Sequence, residues 1–227
     1  AMRGVPGMLE AARLHLVETS PRLRDEQHRR LAPLMPVWHD SVANLPEAPL
    51  YLLANEFFDA LPIRQFLRSG EGWCERVVGL SEGRLAFGLT EPAPHGDLEH
   101  RLADTREGDL VETCAPATGI AEDIGRRIAS QGGAALIVDY GSARSLGDTF
   151  QAVRRHDKVS PLDAPGTADL TAHVDFGALA AAMPCATTAL TPQGVFLERL
   201  GITDRARALA ARLSGAELDS HVAAHRR

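Results

Sequence analysis

Asn55, Glu56 and Asp59 place an amide and two acids close together in the stretch YLLANEFFDALP, Tyr51 to Pro62. The apolar run before them, Leu50 to Ala54, reads as a buried strand. The three side chains therefore arrive at its C-terminal end, the edge where open α/β sheets place their ligands. If Glu56 and Asp59 face one cleft, they repel unless something positive lies between them. A carboxylate pair matches an arginine guanidinium, which offers five donors in a fixed fork. The same coupling raises one pKa and makes a general acid or base. The plainer alternative is a helix start, with Asn55 as cap and the acids on its positive end. Phe57 and Phe58 read as packing.

Three further groups qualify. Asp139-Tyr140-Gly141 follows the apolar run Ala134 to Val138, so a second strand delivers an acid to its end. Carboxylate, phenol and backbone there suit a ligand, or simply a polar turn. Glu18 closes the strand-like LHLVE, and an acid so placed accepts hydrogen bonds from both hydroxyls of a ribose. The alternative is a solvated acid. The glycine-rich turn that normally accompanies such an acid, one strand earlier, is not found, because Gly4 and Gly7 are too sparse. Asp169, Thr171, His173 and Asp175 are metal-type ligands without a tight metal spacing, so no metal is expected. His173 reads as a hydrogen-bonding histidine. Neither G-x-S-x-G nor H-E-x-x-H occurs.

The elements that must position these residues follow from pattern. Leu14 to Glu18 is a short strand. Ser20 and Pro21 suit the N-cap and first position of a helix through LRDEQHRRL. Val37-Trp38 is a short element before the polar His39-Asp40-Ser41, and Leu50 to Ala54 is the next strand. This order predicts a mostly parallel sheet with helices on both faces. Ile63 to Leu67 and Trp73 to Leu80, split by SGEG, predict an antiparallel hairpin, with Arg84 to Leu89 as a third strand. Thr118 to Gln131 reads as a helix with a Glu122–Arg126 pair, ended by Gly132-Gly133. Val195 to Leu197 is a short apolar run, and residues 206–218 read as one helix.

Composition narrows the function. The 227 residues carry a net charge of -6, 44% hydrophobic and 24% charged residues, which is a globular balance. No basic block suggests nucleic-acid binding. Lys158 is the only lysine, which reflects the source genome's base composition. Cys74, Cys114 and Cys185 are far apart and odd in number, as expected of reduced thiols. No apolar run approaches the roughly 20 residues of a membrane span.

The run LLANEFFDALPIRQF, with LHLVETSP before it and ALIVDYG and DLTAHVDF after it, strongly resembles one family over residues 9–200. It is the MidA-like family of class I S-adenosylmethionine-dependent methyltransferases, which includes a mitochondrial complex I assembly factor that methylates protein arginine. The resemblance implies a Rossmann-like α/β sheet and S-adenosylmethionine as cofactor. It further implies that the chain is a fragment at both ends, lacking the first strand and its glycine-rich loop. It divides the chain into residues 1–62 of the cofactor domain, an antiparallel insertion over 63–97, and the remaining domain over 98–227. Glu18, Asp40 and Asn55 are implied on the cofactor side, and Glu56, Asp59 and Asn55 as catalytic. Asp139, Tyr140, Gly141, Asp169 and His173 are implied as acceptor-binding or structural, Thr171 and Asp175 lying in the same signature. The implied acceptor is a protein arginine, with a respiratory complex I subunit as candidate partner. The implied compartment is the bacterial cytoplasm, or the mitochondrial matrix in a eukaryote. The competing class is a catalytically silent assembly or interaction protein on the same fold.

Overall fold

The computed structural model describes residues 5–225. It separates into two units, Ala1–Thr187 and Thr188–Arg227. In the first, α1 (Met8–Ala11) precedes β1 (His15–Val17) and α2 (Pro21–Leu31). Ser20 caps α2, its hydroxyl accepting from the Leu23 N–H, and Pro21 occupies the first turn, where a missing donor costs nothing. The strand β2 (Val37–His39) pairs in parallel with β1, setting Trp38 beside Leu16. The Trp38 ring meets His28 of α2 at 5.1 Å, so α2 lies over that face.

The central ladder is parallel. β3 (Leu50–Asn55) leads into β4 (Arg64–Ser69), β5 (Gly72–Ser81), β6 (Arg84–Leu89), β7 (Leu110–Thr113) and α3 (Ala115–Gln131), and then β8 (Gly133–Val138) returns beside β3. Their register runs from Leu50 opposite Gly133 to Asn55 opposite Val138. Only glycine fits position 133: φ is +121°, and a Cβ would stand 1.9 Å from the Leu50 carbonyl oxygen. Period-two alternation sends Leu50, Leu52 and Ala54 into a core built on α3 residues Ala117, Ala121 and Ile124, together with Phe58, Val174 and Leu179. Burying Ile124 alone stabilises the fold by about 1.5–3 kcal/mol. The opposite face of β3 carries Tyr51 and Leu53, exposed at 83% and 72%. Val17 of β1 joins the same core.

The expected antiparallel part is a four-stranded sheet in the order β6-β5-β4-β7. It extends past residue 97 by taking in β7. Its own core is Phe66, Trp73, Leu98 and Val111. After β8 come β9 (Gly141–Ser142), β10 (Gln151–Arg154), β11 (Asp157–Val159), β12 (Asp169–Thr171), β13 (Val174–Asp175) and α4 (Phe176–Ala182). β10 pairs antiparallel with β11 and β12, and β13 pairs parallel with β9.

Three local expectations are corrected. α3 begins at Ala115, not Thr118, because Pro116 suits a first turn. Arg126 pairs with Asp123, one turn back, and not with Glu122. Residues 206–218 are not one helix. The second unit comprises α5 (Gln193–Arg199), which absorbs the run Val195 to Leu197, α6 (Ile202–Ala210) and α7 (Gly215–His225). Gly215, at φ +53°, starts the last helix afresh. No helix of the described residues is long and apolar enough to cross a membrane.

Candidate active site

The ends of β3 and β8 form an acidic edge. The Glu56 N–H donates to the Val138 carbonyl at 3.0 Å, adding a last rung to the parallel ladder. Glu56 then takes φ +48°, a conformation a non-glycine residue rarely adopts, and the chain turns. One residue beyond β8, Asp139 catches that turn. Its Oδ2 accepts from the backbone N–H of Phe58 at 3.0 Å and of Asp59 at 3.2 Å, while its Oδ1 accepts from the Tyr140 N–H at 2.8 Å. Asp59's own carbonyl accepts from Ala172 N–H at 3.0 Å. No helix follows Asn55, so the helix-cap alternative is not realised. The positive end there is a pair of backbone donors, and a carboxylate from the neighbouring strand fills it. Phe58 is 3% exposed in the main core and meets Phe57 edge-on at 5.1 Å, so both pack as expected.

This edge holds like charges together. Asp59 is 8% exposed. Burial first, then the Asp139 and Glu56 carboxylates, push its pKa above the ordinary aspartate value, against backbone donors that pull it down. Among the described residues, no arginine, lysine or histidine forms an ion pair with Glu56, Asp59 or Asp139. Glu56 and Asn55 are exposed beside them. The arrangement is chemically fit to draw in a cation, or to hold one proton among its carboxylates.

A second cluster sits at the ends of β1 and β2. The Glu18 N–H donates to the His39 carbonyl, which sets Glu18 and Asp40 side by side. Glu18 Oε1 accepts from the Ser20 N–H at 2.8 Å and Oε2 from Gln27 Nε2 at 3.2 Å. Arg24 donates to the carbonyls of Glu18 and His39 and forms its ion pair with Asp40, which remains 82% exposed. Among the described residues Glu18 thus has no cationic partner, and it keeps lone pairs on both oxygens. A carboxylate so held fits a vicinal diol, such as a ribose.

The later signatures are mostly framework. Gly141 permits a close approach: a Cβ there would stand 2.1 Å from the Val174 carbonyl oxygen. Tyr140 is 61% exposed beside the acids. Asp175 caps α4 through the Ala178 N–H and accepts from the Ser145 N–H, each at 2.8 Å. Asp169 and Thr171 bound β12, and His173 enters through its backbone, its N–H donating to Thr149 Oγ1 at 2.8 Å. No group of three or more metal-ligating side chains forms among the described residues. Sequence reasoning missed Glu112. It is 5% exposed, accepts from Gln65 Nε2 at 2.8 Å and from the Thr149 N–H at 3.0 Å, and is met by the Thr149 hydroxyl. The available signal was an acid at an inward position of LVET.

Parallel strands discharging acids at their C-terminal edge, with an antiparallel extension, define a Rossmann-like α/β fold. Two solved structures share it. One is a COG1565 superfamily member from Burkholderia thailandensis bound to S-adenosyl-homocysteine, with TM-score 0.72 and 27% identity over 97% of this chain and 62% of that one. The other, a native COG1565 superfamily protein from the same organism, gives 0.71 and 28% over 94% and 60%. The chain belongs to the MidA-like methyltransferase family, whose model, "Putative S-adenosyl-L-methionine-dependent methyltransferase", matches residues 1–195. Its relatives include the mitochondrial protein arginine methyltransferases NDUFAF7 of Xenopus tropicalis and Homo sapiens. The first is 35% identical over 86% of this chain and 52% of its own length, the second 37% over 76% and 40%. The chain therefore spans about half the length of the curated relatives it matches.

Proposed function

We propose that the protein containing this chain transfers a methyl group from S-adenosylmethionine to an arginine side chain of a protein. The observation that carries this is the acidic edge of Glu56, Asp59 and Asp139, which forms no ion pair among the described residues. Kinship with protein arginine methyltransferases supports it. When bound, the cofactor supplies an electrophilic methyl on a sulfonium, which needs an in-line nucleophile. Glu56 and Asp59 would draw guanidinium charge toward two nitrogens and leave the third oriented for attack, so that the N–C bond forms as the sulfonium S–C bond breaks and the methylated nitrogen passes its proton to one of these carboxylates, which releases it to water. Asn55 shapes the cofactor side of the cleft, and Glu18 takes the ribose with Asp40 beside it. Asp139 and Gly141 hold the loop, and Tyr140 lines the acceptor side with Asp169 and His173 behind it. The first 62 residues serve the cofactor, residues 63–97 are the main part of an insertion that β7 closes, and the rest of 98–227 supplies the remaining elements.

The proposed partner is a protein substrate, with a respiratory complex I subunit as candidate. The compartment follows the source, bacterial cytoplasm or mitochondrial matrix. Incubating the protein with labelled S-adenosylmethionine and host lysate tests the reading. A discrete band yielding methylarginine, lost in Glu56→Gln, is expected. A band that survives this variant removes Glu56 from the mechanism, and no band overturns the activity.

A silent interaction protein is the second reading, favoured by one observation. Val78, Leu80, Leu85 and Leu89 on one face of the β5–β6 arm are all well exposed. Cofactor binding without any methylated product would select it.

A further inference from the structure

Glu18 is steered from behind by two side chains. The Trp38 indole Nε1–H donates to Gln27 Oε1 at 2.9 Å, and Gln27 Nε2 donates to Glu18 Oε2 at 3.2 Å. The chemistry fixes the direction of this chain. An indole N–H is only a donor and an ionised carboxylate only an acceptor, so an amide between them must turn its oxygen to the tryptophan and its nitrogen to the acid. Trp38 lies on β2 and Gln27 on α2, so the relay runs from strand through helix to the end of β1. All three side chains are half-buried, and the Trp38 ring is braced by His28 at 5.1 Å.

The alternative way to hold an acid is an arginine, and one is at hand. Arg24 touches the Glu18 carbonyl yet gives its ion pair to Asp40. Glu18 is therefore held by two neutral donors, the Ser20 N–H and the Gln27 amide, one on each oxygen. Its orientation is fixed on both sides while its charge is left for an incoming donor. Holding the carboxylate plane in advance removes the cost of ordering it when a diol binds.

We propose that Gln27 and Trp38 are positioning residues that hold the Glu18 carboxylate for the ribose hydroxyls of the cofactor. The inference rests on the ribose role of Glu18. It gives Gln27 a function that a leucine of similar size cannot supply.

Calorimetry with S-adenosylhomocysteine and its 2′-deoxy analogue tests both levels. In the parent protein, loss of the hydroxyl weakens binding roughly tenfold, as for a hydrogen bond to a charged group. In Gln27→Leu the parent ligand binds roughly fivefold more weakly, and the hydroxyl penalty shrinks to about twofold, since the two losses are coupled. Trp38→Phe, which keeps an aromatic ring of smaller size and removes the donor, shifts both values in the same direction by less, and serves if Gln27→Leu does not fold. A merely structural role lowers stability and leaves the hydroxyl penalty at its parent value. Equal penalties in parent and variants, with Glu18→Gln still reducing affinity, overturn the relay alone. No effect of Glu18→Gln on affinity, or no binding by the parent, overturns the ribose reading beneath it.

Discussion

The arginine-paired acids in and around the antiparallel sheet and the acids at the β3–β8 edge are treated in opposite ways. Glu75 on β5 receives both Nε and NH2 of Arg64 at 2.7 Å, and Asp148, in the loop before β10, receives Arg76 of β5 at 2.6 Å and Gln65 of β4 at 2.8 Å. Hydrogen bonds from these partners pull both pKa values down, overcoming desolvation. Asp104, between Arg101 and Arg144, behaves likewise. At the edge, Glu56, Asp59 and Asp139 meet backbone donors and one another, and the pKa of Asp59 goes up. Among the described residues, none of the arginines forms an ion pair there. Among the described residues the first set is ion-paired within the chain and the second is not, which is the contrast the proposed acceptor site rests on.

The sharpest break of this contrast is in activity. Glu56→Gln keeps the shape of the edge and removes one charge. It lowers methyl transfer on the order of 100-fold or more, the scale of losing one electrostatic contact to the reacting group, with little change in cofactor affinity. Initial rates and calorimetry on the same preparation separate the two. Comparable rates would put Glu56 among the merely solvated acids.

Asp139→Ala comes next and acts on stability. Three backbone N–H groups lose their acceptor, a loss of about 2–3 kcal/mol read by urea unfolding. The Phe58 and Asp59 amides then exchange faster with solvent. Asp139→Asn keeps an acceptor oxygen and recovers part of the loss. Unchanged exchange at both amides would show that the loop is held by other means.

The pH dependence of the two regions has opposite sign. Glu75 and Asp148 have depressed folded pKa values, so their stability is present above the unfolded value and is lost as pH falls through the folded one. Asp59 has a raised folded pKa, so its contribution is full below the unfolded value and is lost as pH rises through the folded one. Asp59→Asn therefore raises the melting temperature at neutral pH and leaves it nearly unchanged in acid. A lower melting temperature at neutral pH would show that the backbone donors on the Asp59 carboxylate outweigh its burial and the neighbouring charges. The smallest effect belongs to the exposed partner: Arg64→Ala costs about 0.5 kcal/mol, a surface ion pair screened by salt. A loss several times larger in thermal unfolding would erase the distinction between the regions.

Much of the fold was legible in the residues. Apolar runs marked β3 and β8, Ser20-Pro21 marked the start of α2, and SGEG marked the hairpin, because each signal is local. Helix ends were less so: Gly215 splits a continuous helical pattern, and Pro116 starts α3 before its first obvious residue. The acids at the strand ends were legible as a cluster, since strand direction fixes where they emerge. Asp139's grip on Phe58 and Asp59 was not, being a contact across some 80 positions that only the parallel register creates. Glu112 was hidden because its partners lie 37 and 47 positions away, and the Trp38–Gln27–Glu18 chain because only packing of α2 on β1 and β2 brings the three together.

The most direct test of the unpaired edge is an NMR titration of the Asp59 carboxyl, with and without acetyl-arginine amide. Without the ligand, Asp59 titrates above the ordinary aspartate value. With it, the titration moves down as the guanidinium takes the place of the missing counter-charge, and acetyl-leucine amide leaves it where it was. An Asp59 that titrates at the ordinary value, or one that arginine does not move, contradicts the account.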